Sequence, residues 1–205
     1  PDGNLLDIPG LNWQTEAHIV DGYDPKIYDY IWYGKNNNYY LDVVVVDEPN
    51  TGQGSTGSGH AFLPVQDVVP HVTYNHRYIG STCGSNASAA FAKVMTHEFG
   101  HYFGLKHTFQ DDCDPINDGM ADTPPTKAAE GCTRNVLNSC GVFANAENHM
   151  DYNTNCQNMF TRDQTNAMTF WLDDMSVANY PRGVLWQESN LRSVGIIQDV
   201  PVAKF

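Results

Sequence analysis

Three histidines and a glutamate stand together in the stretch His97-Glu98-Phe99-Gly100-His101-Tyr102-Phe103-Gly104-Leu105-Lys106-His107. Residues four apart on a helix lie one above the other, about 5–6 Å between Cβ atoms, so His97 and His101 can offer ring nitrogens to one metal ion. Gly104 can end that helix and turn the chain, and His107 then arrives from another direction. Three protein ligands on a tetrahedral zinc leave one position open, the mark of a catalytic rather than a structural centre. Glu98 projects beside the ligands without needing to be one. It is placed to take a proton from a zinc-bound water attacking a carbonyl and to pass that proton to the leaving amine. Unrelated core or surface histidines are the competing reading, and the H-E-x-x-H-x-x-G-x-x-H spacing outweighs it. His18, His60, His71, His76 and His149 have no such spacing and receive no role.

These residues need a helix, a turn and a wall. The alanine-rich run from Ser88 to Thr96 predicts a helix that continues through Phe103 and stops at Gly104, with Ser85 or Asn86 as N-cap. Asn86-Ala87-Ser88 also fits a glycosylation acceptor, but a helix start explains it better. Tyr39 to Val46 predicts a strand, and its Val43–Val46 run predicts burial on both faces. His60 to Pro64 reads as a short edge strand. Val68 to Asn75 reads as a strand that Pro70 keeps from being a regular central one. An edge beside the catalytic helix could take an extended peptide by strand addition. Residues 108–160 carry no periodicity, and a segment that long is disordered or else functional and stapled. Thr161 to Asp173 predicts a helix capped by Thr161, with Ala167, Met168, Phe170, Trp171 and Leu172 as its apolar residues. Residues 1–25 are turn-rich, and the chain after Pro181 reads as extended.

The 205 residues fit one domain, built as two lobes around a cleft, and 41% hydrophobic residues suffice for a core. A net charge of −13, from 11 basic and 24 acidic side chains, argues against nucleic acid or anionic lipid as partner. No apolar run approaches the roughly 20 residues of a membrane span. A start at Pro1 without methionine suggests excision from a longer precursor. Of five cysteines, Cys113, Cys132, Cys140 and Cys156 crowd the irregular segment. They read as disulfides formed in an oxidising compartment, with Cys83 left over and reduced cysteines as the alternative.

The full histidine motif, with Asn148-His149-Met150-Asp151-Tyr152, resembles the metzincin metallopeptidases. Gly104 to Phe109, Asp122-Thr123-Pro124, Met150-Asp151-Tyr152 and Cys156 through Phe160-Thr161 narrow the resemblance to the pappalysin family, and to its small secreted bacterial and fungal members. The likeness runs from about residue 40 to 195. It implies an α+β metzincin fold, with a twisted mixed sheet and zinc helix above the cleft (about 1–104) and an irregular lobe with a C-terminal helix below (about 105–195). Residues 196–205 then lead toward a further domain. The resemblance makes Met150 the apolar floor under the histidines and Tyr152 the donor to the oxyanion. It implies a calcium loop at Asp118, Ala121, Asp122 and Thr123, and the disulfides Cys113–Cys140 and Cys132–Cys156. It further implies a secreted zinc endopeptidase held by its own pro-segment before activation, and nothing in the sequence demands more than a monomer. Family members that cut beside Arg or Lys keep an acid in the pocket just after the Met-turn, where this chain has Asn153-Thr154-Asn155-Cys156. Asn153 and Asn155 are the specificity-pocket candidates, and the resemblance leaves a neutral or hydrogen-bonding pocket as open as one for basic residues. An inactive metal- or calcium-binding adhesion module on the same scaffold, or a zinc hydrolase acting on non-peptides, are the rival readings, and an intact Glu98 speaks against the first.

Overall fold

The computed structural model describes residues 26–35, 39–46, 57–66, 68–79, 88–116, 118–173, 175 and 179–197. The chain is α+β: helix α1 (Ile27–Tyr30), strands β1 (Val43–Val46), β2 (Gly59–Ala61) and β3 (Val72–Asn75), then helices α2 (Val94–Tyr102), α3 (Arg162–Asp173) and α4 (Glu188–Ser193). The turn-rich residues 1–25, the caps proposed at Ser85 and Asn86, and Cys83 lie outside the described residues.

The three strands run in the order β1-β3-β2, with β1 parallel and β2 antiparallel to β3. β3 is therefore central, and all four of its residues are buried. Pro70 misdirects the sequence reading because it lies two residues before the ladder begins and removes no ladder hydrogen bond. The valine run also departs from expectation. Val43 and Val45 are 39% and 49% exposed, while Val44 and Val46 turn inward. Val46 packs with Ile27, Ile31 and Tyr33, and Tyr180, Val184 and Leu185 close this core from the far end of the chain. Alternation wins over the run because one face of β1 meets α1 and the other meets no such layer among the described residues.

Asp42 ties α1 to the sheet. Its two carboxylate oxygens accept from the backbone N–H groups of Trp32 (3.1 Å) and Tyr33 (2.9 Å). Burial outweighs those two bonds and pushes the carboxyl up to about 6. An unfolded aspartate releases its proton near 3.9. Between those values the folded chain holds a proton that the unfolded chain has lost, so rising pH favours unfolding until the folded group has also ionised. Asp42→Asn removes the titration. Its denaturation midpoint should gain on the wild type as pH rises from 4 to 7, whatever constant offset its single acceptor oxygen imposes. A difference independent of pH would refute the assignment.

The helix that carries the histidines starts later than the alanine run suggests. A 3-10 turn, Phe91–Lys93, precedes α2, and Ser88 Oγ accepts from the Phe91 N–H at 3.2 Å. The end lies at Gly104 as read, with φ +93°, a left-handed conformation that favours glycine. A Cβ there would fall 2.1 Å from Trp171 Nε1, so the same glycine lets α3 approach.

α3 begins with a reciprocal cap. Thr161 Oγ1 accepts from the Gln164 N–H at 3.2 Å, and Gln164 Oε1 accepts from the Thr161 N–H at 2.9 Å. Contrary to the apolar reading of this helix, Gln164 is its buried residue, and Phe170 is 57% exposed. The segment after Pro181 is not extended. It forms a 3-10 helix, Arg182–Trp186, followed by α4, whose Glu188 and Arg192 pair one turn apart.

Arg182 is 1% exposed. Its guanidinium donates to the carbonyls of Tyr102 (3.2 Å), Tyr180 (2.9 Å) and Phe62 (3.4 Å) and lies 4.6 Å over the Tyr102 ring. It joins the end of α2 to the residue that follows β2. The irregular segment is closed by Cys113–Cys140 and Cys132–Cys156 bonds. No helix among the described residues is long and apolar enough to cross a membrane.

Candidate active site

α2 and the Gly104 turn bring the three histidines to one point. The Nε2 atoms of His97 and His101 are 3.1 Å apart, those of His97 and His107 3.2 Å, and those of His101 and His107 3.0 Å. The opposite ring nitrogens settle what these atoms are. His97 Nδ1 donates to the His149 carbonyl at 2.6 Å, and His101 Nδ1 donates to the Leu105 carbonyl at 2.7 Å. A carbonyl only accepts, so each neutral ring carries its proton on Nδ1 and turns a bare Nε2 lone pair inward. Two lone pairs at 3.1 Å repel unless a cation lies between them. Burial and the neighbouring rings hold His97 and His107 down to about 3, and burial lowers His101 too. Neutral nitrogen donors with carbonyls fixing their outer protons fit zinc. Among the described residues this is the one group of three such side chains able to hold a metal.

Glu98 is 5% exposed, and burial pushes its carboxyl up to about 8. It lines a cleft of about 610 Å³ together with the three histidines, Tyr152 and the 57–61 stretch that contains β2. A Cβ on Gly59 would lie 2.8 Å from Glu98 Cγ, so the strand passes the carboxyl as closely as a glycine permits. Nothing in the glycine-rich loop of the sequence singles out Gly59 for this place.

Met150 is fully buried beneath α2. A Cβ on Gly100 would meet its sulfur at 2.2 Å, so the glycine inside the histidine motif is the seat of the methionine. The turn around Met150 is held from several sides. Asn148 Oδ1 accepts from the Met150 N–H at 2.8 Å, and Asn148 and Gln164 exchange amide hydrogen bonds of 2.8 and 3.2 Å. Asp151 accepts from Ala129 N–H (3.1 Å), Tyr152 N–H (2.6 Å) and Thr108 Oγ1 (3.3 Å). The cap of α3 is thus wired to the cleft floor. The Thr161-x-x-Gln164 spacing announces the cap, and no spacing announces its partner Asn148.

Tyr152 is half exposed, its ring 5.6 Å from His97, 4.9 Å from His107 and 4.7 Å from Phe109. Burial first, and the Glu98 carboxylate second, raise its phenol, so it stays a hydrogen donor at neutral pH.

The other expected residues lie elsewhere. Asn153 is buried and its Oδ1 accepts from the Gly131 N–H at 2.9 Å, while Asn155 is exposed. At this end the cleft is lined by Thr154 and Gln157 instead. Asp118 is buried, its Oδ1 accepting from Thr123 Oγ1 at 2.6 Å and the Met120 N–H at 3.0 Å. Ala121 and Asp122 are exposed. The Asp122 carboxylate accepts from the Asp163 N–H at 2.9 Å, a helix-capping role the sequence reading missed.

A family model described as Pregnancy-associated plasma protein-A, Peptidase_M43, matches residues 21–173. An extracellular metalloprotease 1 of Coccidioides posadasii is 41% identical over 90 residues, 42% of this chain and 32% of that protein. An extracellular metalloprotease of Arthroderma otae is 42% identical over 81 residues, 37% of this chain and 30% of its own length. The chain thus spans about a third of the curated relatives it matches. Among solved structures, mature mirolysin of Tannerella forsythia with a cleaved peptide superposes with a TM-score of 0.57 at 26% identity, over 72% of this chain and 56% of that one. Tannerella forsythia promirolysin gives 0.59 at 23% identity, over 80% and 52%.

Proposed function

The chain belongs to the Peptidase_M43 family, the pappalysins, and we propose from this and from its site that it is a secreted zinc-dependent endopeptidase acting on extended protein substrates. The metzincin-like fold agrees with that membership. The observation that carries the proposal is the convergence of three imidazole Nε2 atoms beside a buried carboxyl on an open cleft.

His97, His101 and His107 would hold zinc, which supplies a Lewis acid and brings the pKa of water toward about 7. Glu98 takes the proton from the attacking water and delivers it to the departing amine nitrogen. Burial raises its carboxyl above the usual carboxylate range, which makes the ionised form a stronger base. The Tyr152 hydroxyl donates to the carbonyl oxygen as negative charge builds on it. β2 pairs with β3 on one edge, and its other edge faces the cleft, where an extended peptide can add as a further strand. Residues 1–205 act as one catalytic unit in this reading, a monomer with its lobes meeting near Gly104. The extracellular names of the relatives support secretion, and a pro-form among the structural neighbours supports a pro-segment before activation. Buried Asp118, with Ala121, Asp122 and Thr123 as further oxygen donors, is retained as a calcium loop. An inactive adhesion module would have no use for a general base buried against β2.

Peptide hydrolysis should vanish with a transition-metal chelator and return with zinc. Activity that survives complete zinc removal would overturn the reading. A calcium-selective chelator should leave the initial rate and shorten the protein's lifetime by autolysis within 108–160. Equal lifetimes would exclude the calcium loop.

A further inference from the structure

Gln157 is 1% exposed, yet it lines the cleft, with Lys106, Gln110 and Thr154 also on the wall. Its Nε2 donates to the His149 carbonyl at 3.0 Å and also to the Asp151 carbonyl. Two acceptors on one side fix the amide: reversing it would set oxygen against oxygen twice. Oε1 must therefore face away from them, and it is buried without a hydrogen-bond partner. An acceptor in that state awaits a donor, and leaving it unpaired in a complex costs about a factor of ten or more.

The cleft narrows the choice of donor. Its described lining residues include one carboxylate, Glu98, and one ammonium, Lys106. An arginine or lysine side chain entering here would bury a cation with no second carboxylate to meet it. An acidic side chain brings no donor, and an apolar one leaves Oε1 unpaired. An uncharged N–H or O–H is what fits.

We propose that Gln157 is a specificity-determining residue, whose amide oxygen receives the side chain of a Gln, Asn, Ser, Thr or Tyr flanking the scissile bond. The proposal rests on the peptidase reading above. It shifts the expected pocket determinant from Asn153 and Asn155 to Gln157.

The test uses the zinc-loaded protein and matched peptides, with Thr against Val, Gln against Met and Tyr against Phe, and Arg as a fourth arm, at each position around the cut. At one position the donor-bearing member of a pair should be cleaved with kcat/KM at least tenfold above its isostere, and Arg should not exceed it. In Gln157→Met that ratio should fall to near one. Because Gln157 also holds the carbonyl that orients His97, this variant should slow both members of a pair, but a purely structural role would leave their ratio intact. Should Gln157→Met fail to fold, the wild-type ratios decide alone. Ratios within twofold at every position, or a ratio unchanged in the variant, overturn the proposal. Absence of cleavage of every peptide overturns the peptidase reading and this inference with it.

Discussion

Glu98→Gln should fold, retain one zinc per chain and lose peptide hydrolysis by about 10²–10⁴-fold, the span that positioned proton transfer supplies. Glutamine keeps the volume and one acceptor oxygen but cannot take a proton. The loss should fall on kcat, because the substitution leaves β2 and the three histidines untouched. Stability should hold or rise. Glu98 is 5% exposed, and glutamine carries no charge to bury. Glu98→Ala should behave alike in activity and leave a small void beneath Gly59. Zinc analysis, a denaturation curve and a rate assay on one preparation settle the matter. A variant with near-native turnover would remove Glu98 from the proton path, and one that had lost zinc would make it part of the metal site's scaffold.

Arg182→Ala should cost about 2–5 kcal/mol of stability, from the void it opens and the hydrogen bonds it removes. The wild-type guanidinium is nearly fully buried and meets three carbonyls and an aromatic face. Alanine removes those donors from the carbonyls of Tyr102, Tyr180 and Phe62 and opens a void beside Tyr102. Domains of this size have roughly 5–15 kcal/mol in total. A fall in midpoint temperature on the order of 10 °C follows at about 2–4 °C per kcal/mol. Lysine restores a charge but not the planar fork, so Arg182→Lys should recover only part. Denaturant titrations of the three proteins measure this, and an alanine variant within 1 kcal/mol of wild type would contradict the reading.

The convergence of the three histidines was legible because its geometry is local. His97, His101 and His107 lie within eleven residues, and helix periodicity with one glycine turn nearly dictates where they meet. The Thr161-x-x-Gln164 cap was open to the same kind of reading. Other features depend on chain segments that meet only after folding. Pro70 suggested an irregular strand, yet β3 is central because β1 and β2 flank it. No sequence signal marks Arg182, since its partners are backbone carbonyls that no side-chain pattern advertises. Gln157 escaped notice for a related reason. Its amide is oriented by the turn around Met150, and only the folded cleft leaves its oxygen without a partner.

The arginine clasp also bears on the order of synthesis. Its bonds to Tyr102 and Phe62 span 80 and 120 residues. A chain emerging from the ribosome displays its histidine motif long before residue 182 exists. Contacts of such separation form late, after the intervening loop has closed. The anchor between α2 and the residue that follows β2 therefore forms only once both disulfide loops and α3 have been made. A chain that ends before Pro181 would carry all three histidines and lack the brace between α2 and the residue that follows β2.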